Sequence, residues 1–365
     1  MYFLQQKLYK SMWSKGLDVD IRFADKQLVK GDKGTLVETI TNNKWLPLSM
    51  VRIKFMVSRN LKFTDMDENT SVSDLCYKND VFSLLFYQKI TRTLEFQCKR
   101  RGYYSIDKVD MVSTNLFLTD NYIKTVDVHD SIVVYPLPAD SNRLEIPFSK
   151  IMGECLTRKY LYEDPFEFRG IRQYEPYDSM RSINWKASAK TGELRVNVND
   201  YTASQEICIL LNLESEVLWE SEGLKEECIS IAVGLAERIV KAGINVRFVT
   251  NGCDIFTKTA PQIEAGASNY HISSICGMLA RIDLKLPMQR FVEIVEKEEA
   301  RKQENCLYVM ISIARSETLQ KAYNKLCAEN KGSMWIIPFY KQPEFDIEFA
   351  PNAEIIPWEA VANEE

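Results

Sequence analysis

The spacing of apolar residues changes near residue 200, and that change limits the fold more than any other feature. Before it, short segments alternate. "DVDIRFAD" puts Val19, Ile21 and Phe23 on one side and polar residues on the other, and "SMVRIKFMVSR" does the same with Val51, Ile53, Phe55 and Val57. "GTLVETITNN" runs into an Asn-Asn turn, "TRTLEFQCKRRGYYSIDKVDMVSTNLF" reads as two strands hinged near Gly102, and "DSIVVYPLP" is a strand stopped by prolines. Many short alternating strands separated by turn signals predict an antiparallel, Ig-like β-sandwich over residues 18–138. Residues 66–85 break the alternation and read as a loop or a short helix.

After residue 200 the pattern becomes strand–helix. "EICILLNLES" is a short apolar run, as expected of a strand buried on both faces. "EGLKEECISIAVGLAERIVKAG" has helical spacing through Leu224, Cys228, Ile231, Leu235 and Ile239, closed by Gly243. Further strands are "INVRFVTN", "CLYVMISI" and "SMWIIPFY"; further helices are "SNYHISSICGMLARI", capped by Ser268 or Asn269, "MQRFVEIVEKEEARK" and "SETLQKAYNKLCAEN". This alternation predicts a Rossmann-like α/β domain over residues 201–342, its parallel sheet covered on both faces. Residues 343–365 read as an acidic C-terminal tail, mostly extended or loose. Prolines bracket residues 137–164, which read as a connector.

Composition excludes several function classes. A net charge of -5 and a pI near 5.5 do not provide the basic footprint that nucleic acid requires. The nine cysteines are an odd number, widely spaced and without a CxxC pair, which argues against a disulfide framework or zinc knuckle and for a reducing compartment. His129 and His271 are the two histidines and read as structural, which leaves little for hydrolase or zinc chemistry. No apolar run reaches the roughly 18 residues of a membrane span, and the start lacks the apolar core of a signal peptide. The opening "MYFLQQKLYKSMWSKGLDV" sets Tyr2, Phe3, Tyr9 and Trp13 among Lys7, Lys10 and Lys15. It reads either as the cytoplasmic edge of a membrane span or as an amphipathic helix docking on its own domain.

Between the two regions lies "FRGIRQYEPYDSMRSINWKASAKTGELRVN", residues 168–197. Asp178 reads as a helix N-cap, followed by about three turns that end at Gly192 as a left-handed C-cap. Met180, Ile183 and Ala187 share one face, and Lys186 and Lys190 another. Arg169, Arg172, Arg181 and Lys186 with Tyr174 and Trp185 form a nucleic-acid patch in one reading. A nucleotide pocket lacks its glycine-rich loop. A protein-docking face fits the residue types better. The plainest reading is a strut in which these cations pair with Glu167, Glu175, Asp178 and Glu193.

This segment resembles the signature of the domain-of-unknown-function 58 family of membrane-anchored bacterial proteins. Arg169, Gly170, Arg172, Tyr174, Pro176, Asp178, Arg181, Ile183, Trp185 and Leu194 fall where that pattern wants them; Tyr177 departs from a common glycine. The resemblance implies that residues 1–17 are a juxtamembrane segment and that the chain is a soluble fragment whose transmembrane hairpin has been removed. It implies that residues 139–200 are connector and signature, and that the α/β domain is similar to the von Willebrand factor A fold. That fold often holds Mg²⁺ at the end of its first strand. The matching positions here are Asn212, Glu214 and Glu216, where a neutral amide and two carboxylates replace an aspartate and two serines. The nearest candidates for a further ligand are Thr250 and Asn251.

The function these readings imply is a non-catalytic, membrane-tethered adaptor or scaffold on the cytoplasmic face of the cell membrane. It would work with a MoxR-type AAA+ ATPase in complex assembly or envelope maintenance, without nucleic acid and without a required cofactor. Its docking residues would be Arg169, Arg172, Tyr174, Asp178, Arg181, Trp185 and Lys186, or the edge from Asn212 to Glu216. The alternatives are a hydrolase using a divalent ion at Glu214 and Glu216, and a cell-envelope recognition protein acting through its β-sandwich.

Overall fold

The computed structural model describes all residues except 1–6, 8, 65–70, 73, 115–119, 162–167, 177, 200–205, 216–221, 302–305, 331, 341–352 and 361–365. The chain divides into two compact units: residues 1–137 with 276–282, and residues 138–275 with 283–365.

The first unit is a β-sandwich. One sheet orders its strands β1-β3-β8-β5, from Leu17–Phe23 (β1), Lys33–Asn42 (β3), Lys89–Cys98 (β8) and Leu61–Phe63 (β5). The other orders β2-β10-β9-β4-β7-β6, from Gln27–Val29, Asn121–Tyr135, Gly102–Thr114, Leu48–Ser58, Leu75–Leu84 and Ser71–Val72 respectively. All pairings are antiparallel except that of β2 with β10. The expected alternation is visible in Val51, Ile53, Phe55 and Val57, all buried in one core with Ile21, Leu36, Ile40 and Phe96.

One expectation is corrected. Residues 75–84 are a strand, not a loop or helix; two of β7's core-facing positions are Lys78 and Asp80. Those charges hide the apolar period. Of the two readings of the opening stretch, its described aromatic residues follow the helix that docks on its own domain. Tyr9 and Trp13 follow one another by a helical turn and are buried in the sandwich core, packed against Tyr122. The Tyr9 hydroxyl shares a hydrogen bond with Ser113 at 2.9 Å. Tyr2 and Phe3 lie outside the described residues.

The second unit holds a six-stranded sheet. In chain order its strands are β13 (Glu206–Asn212), β14 (Asn245–Thr250), β15 (Gln262–Gly266), β16 (Cys306–Ser312), β17 (Met334–Phe339) and β18 (Glu354–Glu359), arranged β15-β14-β13-β16-β17-β18. All neighbours are parallel except β15, which runs antiparallel to β14. Counted along the chain the order is third, second, first, fourth, fifth, sixth. Helices α5 (Phe291–Ala300) and α6 (Glu317–Glu329) cover one face, over Cys208, Leu210, Tyr308, Met310, Trp335 and Ile337. Helix α3 (Glu222–Lys241) packs on the same strands. Fully buried β13 and β16 are what a two-sided sheet requires.

Residues 139–200 are not a bare connector. They contain the 17-residue helix α1 (Glu145–Leu161), whose Leu144 and Ile151 flank are buried. A Cβ at Gly234 of α3 would collide with Leu144, so glycine there permits the close approach. The tail is also structured in part. Residues 354–359 form β18, with Ile356 and Trp358 buried, although Pro357, Glu354 and Glu359 disguise the strand. Trp358 donates to Glu227 Oε1 at 2.7 Å and lies under Arg143, whose guanidinium carbon is 4.3 Å from the ring centre. Helix α4 (Asn269–Ala280) begins where expected, with His271 N–H on Ser268 Oγ. His271 is structural: its Nε2 donates to Val246 O at 2.7 Å. Eight cysteines are buried and Cys76 is half-buried, all as free thiols.

Candidate functional site

Open α/β sheets place ligands outside the carboxyl ends of their strands, where the strand order reverses. In this sheet that point lies between β13 and β16. Asn212 ends β13 and Ser312 ends β16, in register with each other. Both are fully buried. Asn212 Nδ2 donates to Ser312 Oγ at 2.9 Å, and Ser312 passes its own proton to Ala314 O. Asn212 Oδ1 accepts two donors, Glu214 N–H and Asn251 Nδ2, each at 2.9 Å. Asn251 Oδ1 in turn accepts Leu213 N–H at 2.8 Å. An amide oxygen has two lone pairs, so both of Asn212's are engaged. Glu214 Oε2 accepts Phe291 N–H at 3.2 Å, at the first turn of α5, where a carboxylate offsets the helix dipole. Asn212, Glu214, Thr250 and Asn251 are thus brought together at one edge. Glu216 lies outside the described residues, and no group of three or more His, Cys, Asp or Glu that could hold a metal occurs among the described residues.

A cavity of about 400 Å³ opens beside this edge, lined by Thr250, Gln262, Gln289, Lys297, Glu298 and Arg301. Glu298 is itself buried and paired with buried Arg247, which also holds Glu206 at 2.8 Å. Cys208 and Cys306 lie against this pair, and burial pushes the Cys208 thiol well up, away from reactivity. Sequence reasoning missed this network. Its only trace was an arginine in the middle of an apolar strand run, "INVRFVTN".

The signature segment is a hairpin with a helical insert. Strands β11 (Phe168–Gln173) and β12 (Arg195–Asn199) pair antiparallel, and between them lie a 3-10 turn at Met180–Ser182 and the short helix α2 (Trp185–Thr191). The expected three-turn helix capped by Asp178 is corrected. Ile183 bridges to Val196 and interrupts it, Ser179 caps the 3-10 turn, and Asn184 caps α2 through Ala187 N–H. Gly192 closes α2 at φ 75°, as expected. Asp178 has another role. It takes both guanidinium nitrogens of Arg172, with Nη1 at 2.7 Å, and accepts Glu175 N–H at 2.8 Å. The Arg172 fork, and secondarily the Glu175 N–H, hold its carboxyl below the usual range. Tyr174 N–H reaches Leu194 O at 2.9 Å. Ser188 Oγ accepts Arg195 N–H at 2.8 Å, tying α2 to β12.

Arg172, Tyr174 and Asp178 are therefore framework. Arg181, Trp185 and Lys186 are exposed, as are Met180, Ile171 and Leu194. Met180, expected to share a face with Ile183 and Ala187, lies in the 3-10 turn and is 66% exposed, whereas Ile183 is buried. Arg169 lies in β11 with its side chain outside the described residues, as do Glu167 and Tyr177.

No family model matches the chain, and no curated protein matches it. Among solved structures it is similar to the CARDB domain of a Pyrococcus furiosus protein in complex with di-metal ions, at 13% identity over 32% of this chain and 90% of that chain, with a TM-score of 0.21. It is similar to a non-cellulosomal cohesin from Archaeoglobus fulgidus at 8% identity, over 32% and 91%, with a TM-score of 0.23. A sporulation control protein from Bacillus subtilis aligns at 13% identity over 44% and 58%, with a TM-score of 0.22. Likenesses this weak carry no statement about function.

Proposed function

We propose that the chain is a non-catalytic adaptor whose docking face is the outer surface of the signature hairpin. The observation that carries this reading is the division of labour within residues 168–197. Arg172, Asp178, Asn184 and Ser188 are consumed in holding the backbone, while Trp185, Met180, Arg181 and Lys186 are held out in water. Trp, Met and Arg on a rigid platform are the residue types that anchor protein interfaces. The strand order of the second unit, with its third strand antiparallel, supports a von Willebrand factor A-like domain. The closed amide network at Asn212 supports a domain that works without a metal there. With the resemblance of the signature, these features favour a membrane-tethered protein of the cytoplasmic face, partnered by a MoxR-type AAA+ ATPase. The enzyme alternative is weaker, since Glu214 already serves α5.

The test is a crosslinking pull-down from native membranes, wild type beside Trp185→Ala with Lys186→Glu. Loss of an AAA+ ATPase from the variant alone supports the reading. An unchanged partner list at unchanged stability sinks it. Arg172 is unsuitable for this test, because replacing it removes the lock rather than the face.

A further inference from the structure

One end of the sandwich exposes an apolar tip that no part of the adaptor reading uses. Two loops form it, residues 43–47 between β3 and β4 and residues 85–88 between β7 and β8. They are hydrogen-bonded into one piece. Tyr87 N–H donates to Lys44 O at 3.1 Å, Asn42 N–H to Gln88 O at 2.8 Å, and Asn42 Nδ2 to both Leu46 O and Leu85 O. Gln88 Oε1 accepts Leu85 N–H at 2.8 Å. On this framework Trp45, Leu85, Phe86 and Tyr87 are 55%, 58%, 61% and 70% exposed. Both loops cross from one sheet to the other. Turn segments usually carry Gly, Asn and Asp; these carry four large apolar side chains. Tyr87 also sits at φ 51°, a left-handed backbone that a tyrosine adopts only under strain. Selection for a stable turn alone would place glycine or asparagine there.

The charge around the tip is mostly basic. Neither loop contains an acid. Lys44 is buried and spends its ammonium on Trp13 O and Lys15 O, at 2.7 and 2.9 Å, which fixes residues 13–15 at the same end. Lys15, Lys89 and Lys124 are exposed around it, with Lys124 close enough to act on Lys44 through space. The nearest acid is Asp18, which Asn43 Nδ2 holds at 3.2 Å.

We propose that this tip is a lipid-docking site, with Trp45, Phe86, Tyr87 and Leu85 entering the headgroup–acyl boundary of an anionic bilayer and the surrounding lysines meeting its surface charge. Trp and Tyr favour that boundary because one end of each ring is apolar and the other polar. Lysines beside such a tip add attraction to anionic lipid that fades with salt. A protein partner fits less well, since two loops without acids, flanked mainly by ammonium groups, match an extended anionic plane better than a surface of mixed sign.

The experiment is co-sedimentation of the full chain with vesicles of phosphatidylcholine containing phosphatidylglycerol, and with phosphatidylcholine alone. Binding to the anionic vesicles is expected, falling with salt, and weakened more than about tenfold in Phe86→Ser with Trp45→Ser, since each loses its apolar burial in the bilayer. As a check needing no change at the tip, brominated lipids should quench fluorescence in the Trp185→Phe chain, where Trp45 is the remaining exposed tryptophan among the described residues. Equal binding by the tip variant, absence of binding and quenching by the unaltered tip, or a lipid-free dimer that the tip variant abolishes would each overturn the proposal. Substitutions at Trp185 and Lys186 leave lipid binding unchanged, so this test and that of the adaptor reading fail separately.

Discussion

Glu38 makes the stability of the sandwich depend on pH in a direction opposite to most carboxylates. It sits on the core face of β3, 1% exposed, between fully buried Leu36 and Ile40. Its carboxyl faces Asp80 on β7, with Lys78 and Arg92 as the nearby cations. Burial, then the Asp80 charge, raise it from 4.5 to about 8. The sign follows directly. Between those two values the unfolded chain has released the proton and the folded chain still holds it, so stability falls as pH rises from about 5 to about 8 and then levels. At about 1.4 kcal/mol for each tenfold change, the full span corresponds to roughly 5 kcal/mol. Glu38→Gln keeps the shape and removes the titration. The variant should match wild type within about 1 kcal/mol at pH 5 and exceed it by roughly 4–5 kcal/mol at pH 9. Urea unfolding across that range checks this, with hydrogen exchange of β3 and β8 peptides isolating the sandwich. Parallel pH profiles for the two proteins would refute the reasoning, as would a variant that is less stable at pH 9.

Two further perturbations probe the second unit. Asn212→Ala leaves Glu214 N–H without its acceptor and Ser312 without its donor, for an expected loss of about 2–4 kcal/mol, read as a lowered urea midpoint; Asn212→Asp should gain no added melting temperature from Mg²⁺. Arg247→Met strands buried Glu298 with only Arg301 at 3.6 Å and should lower stability by about 3–5 kcal/mol, whereas Arg247→Met with Glu298→Leu should recover much of the loss.

The sheet and helices of the second unit were legible because their signal is redundant: β13 is apolar from Ile207 to Leu211 and β16 nearly so from Cys306 to Ile311, and α3 repeats its apolar positions over five turns. Where a core position carries a charge, the signal inverts. Lys78 and Asp80 hid β7, and Arg247 hid the pairing that joins β14 to α5. The signature segment was legible as a unit but not in its interior. Asp178 has an N-cap's composition, yet the Arg172 fork outcompetes the helix for its oxygens, and the bridge from Ile183 to Val196 breaks the helical run. The tip at Trp45 and Phe86 left a trace only in hindsight: aromatic residues at positions where strands must turn.

The switch-point edge bears on what kind of protein this is. A metal site at a strand end needs oxygen atoms whose lone pairs face solvent and whose charge is unspent. Asn212 gives a neutral oxygen already saturated by two N–H donors, and its nitrogen binds the neighbouring strand through Ser312. Replacing an ion by this chain of amides and hydroxyls keeps β13 and β16 aligned without any ligand. These bonds account for the edge as structure, and the adaptor and lipid-docking proposals place recognition on surfaces that the core does not need. Among the described residues, the outer face of the signature hairpin and the tip of the sandwich satisfy that condition. Each presents exposed aromatic side chains on backbone that is fixed by hydrogen bonds, which lowers the entropy lost on docking. If recognition uses these two surfaces, substitutions should separate cleanly. Those at Asn212 and Arg247 change stability and leave docking intact, whereas those at Trp185 and Phe86 change docking and leave stability intact.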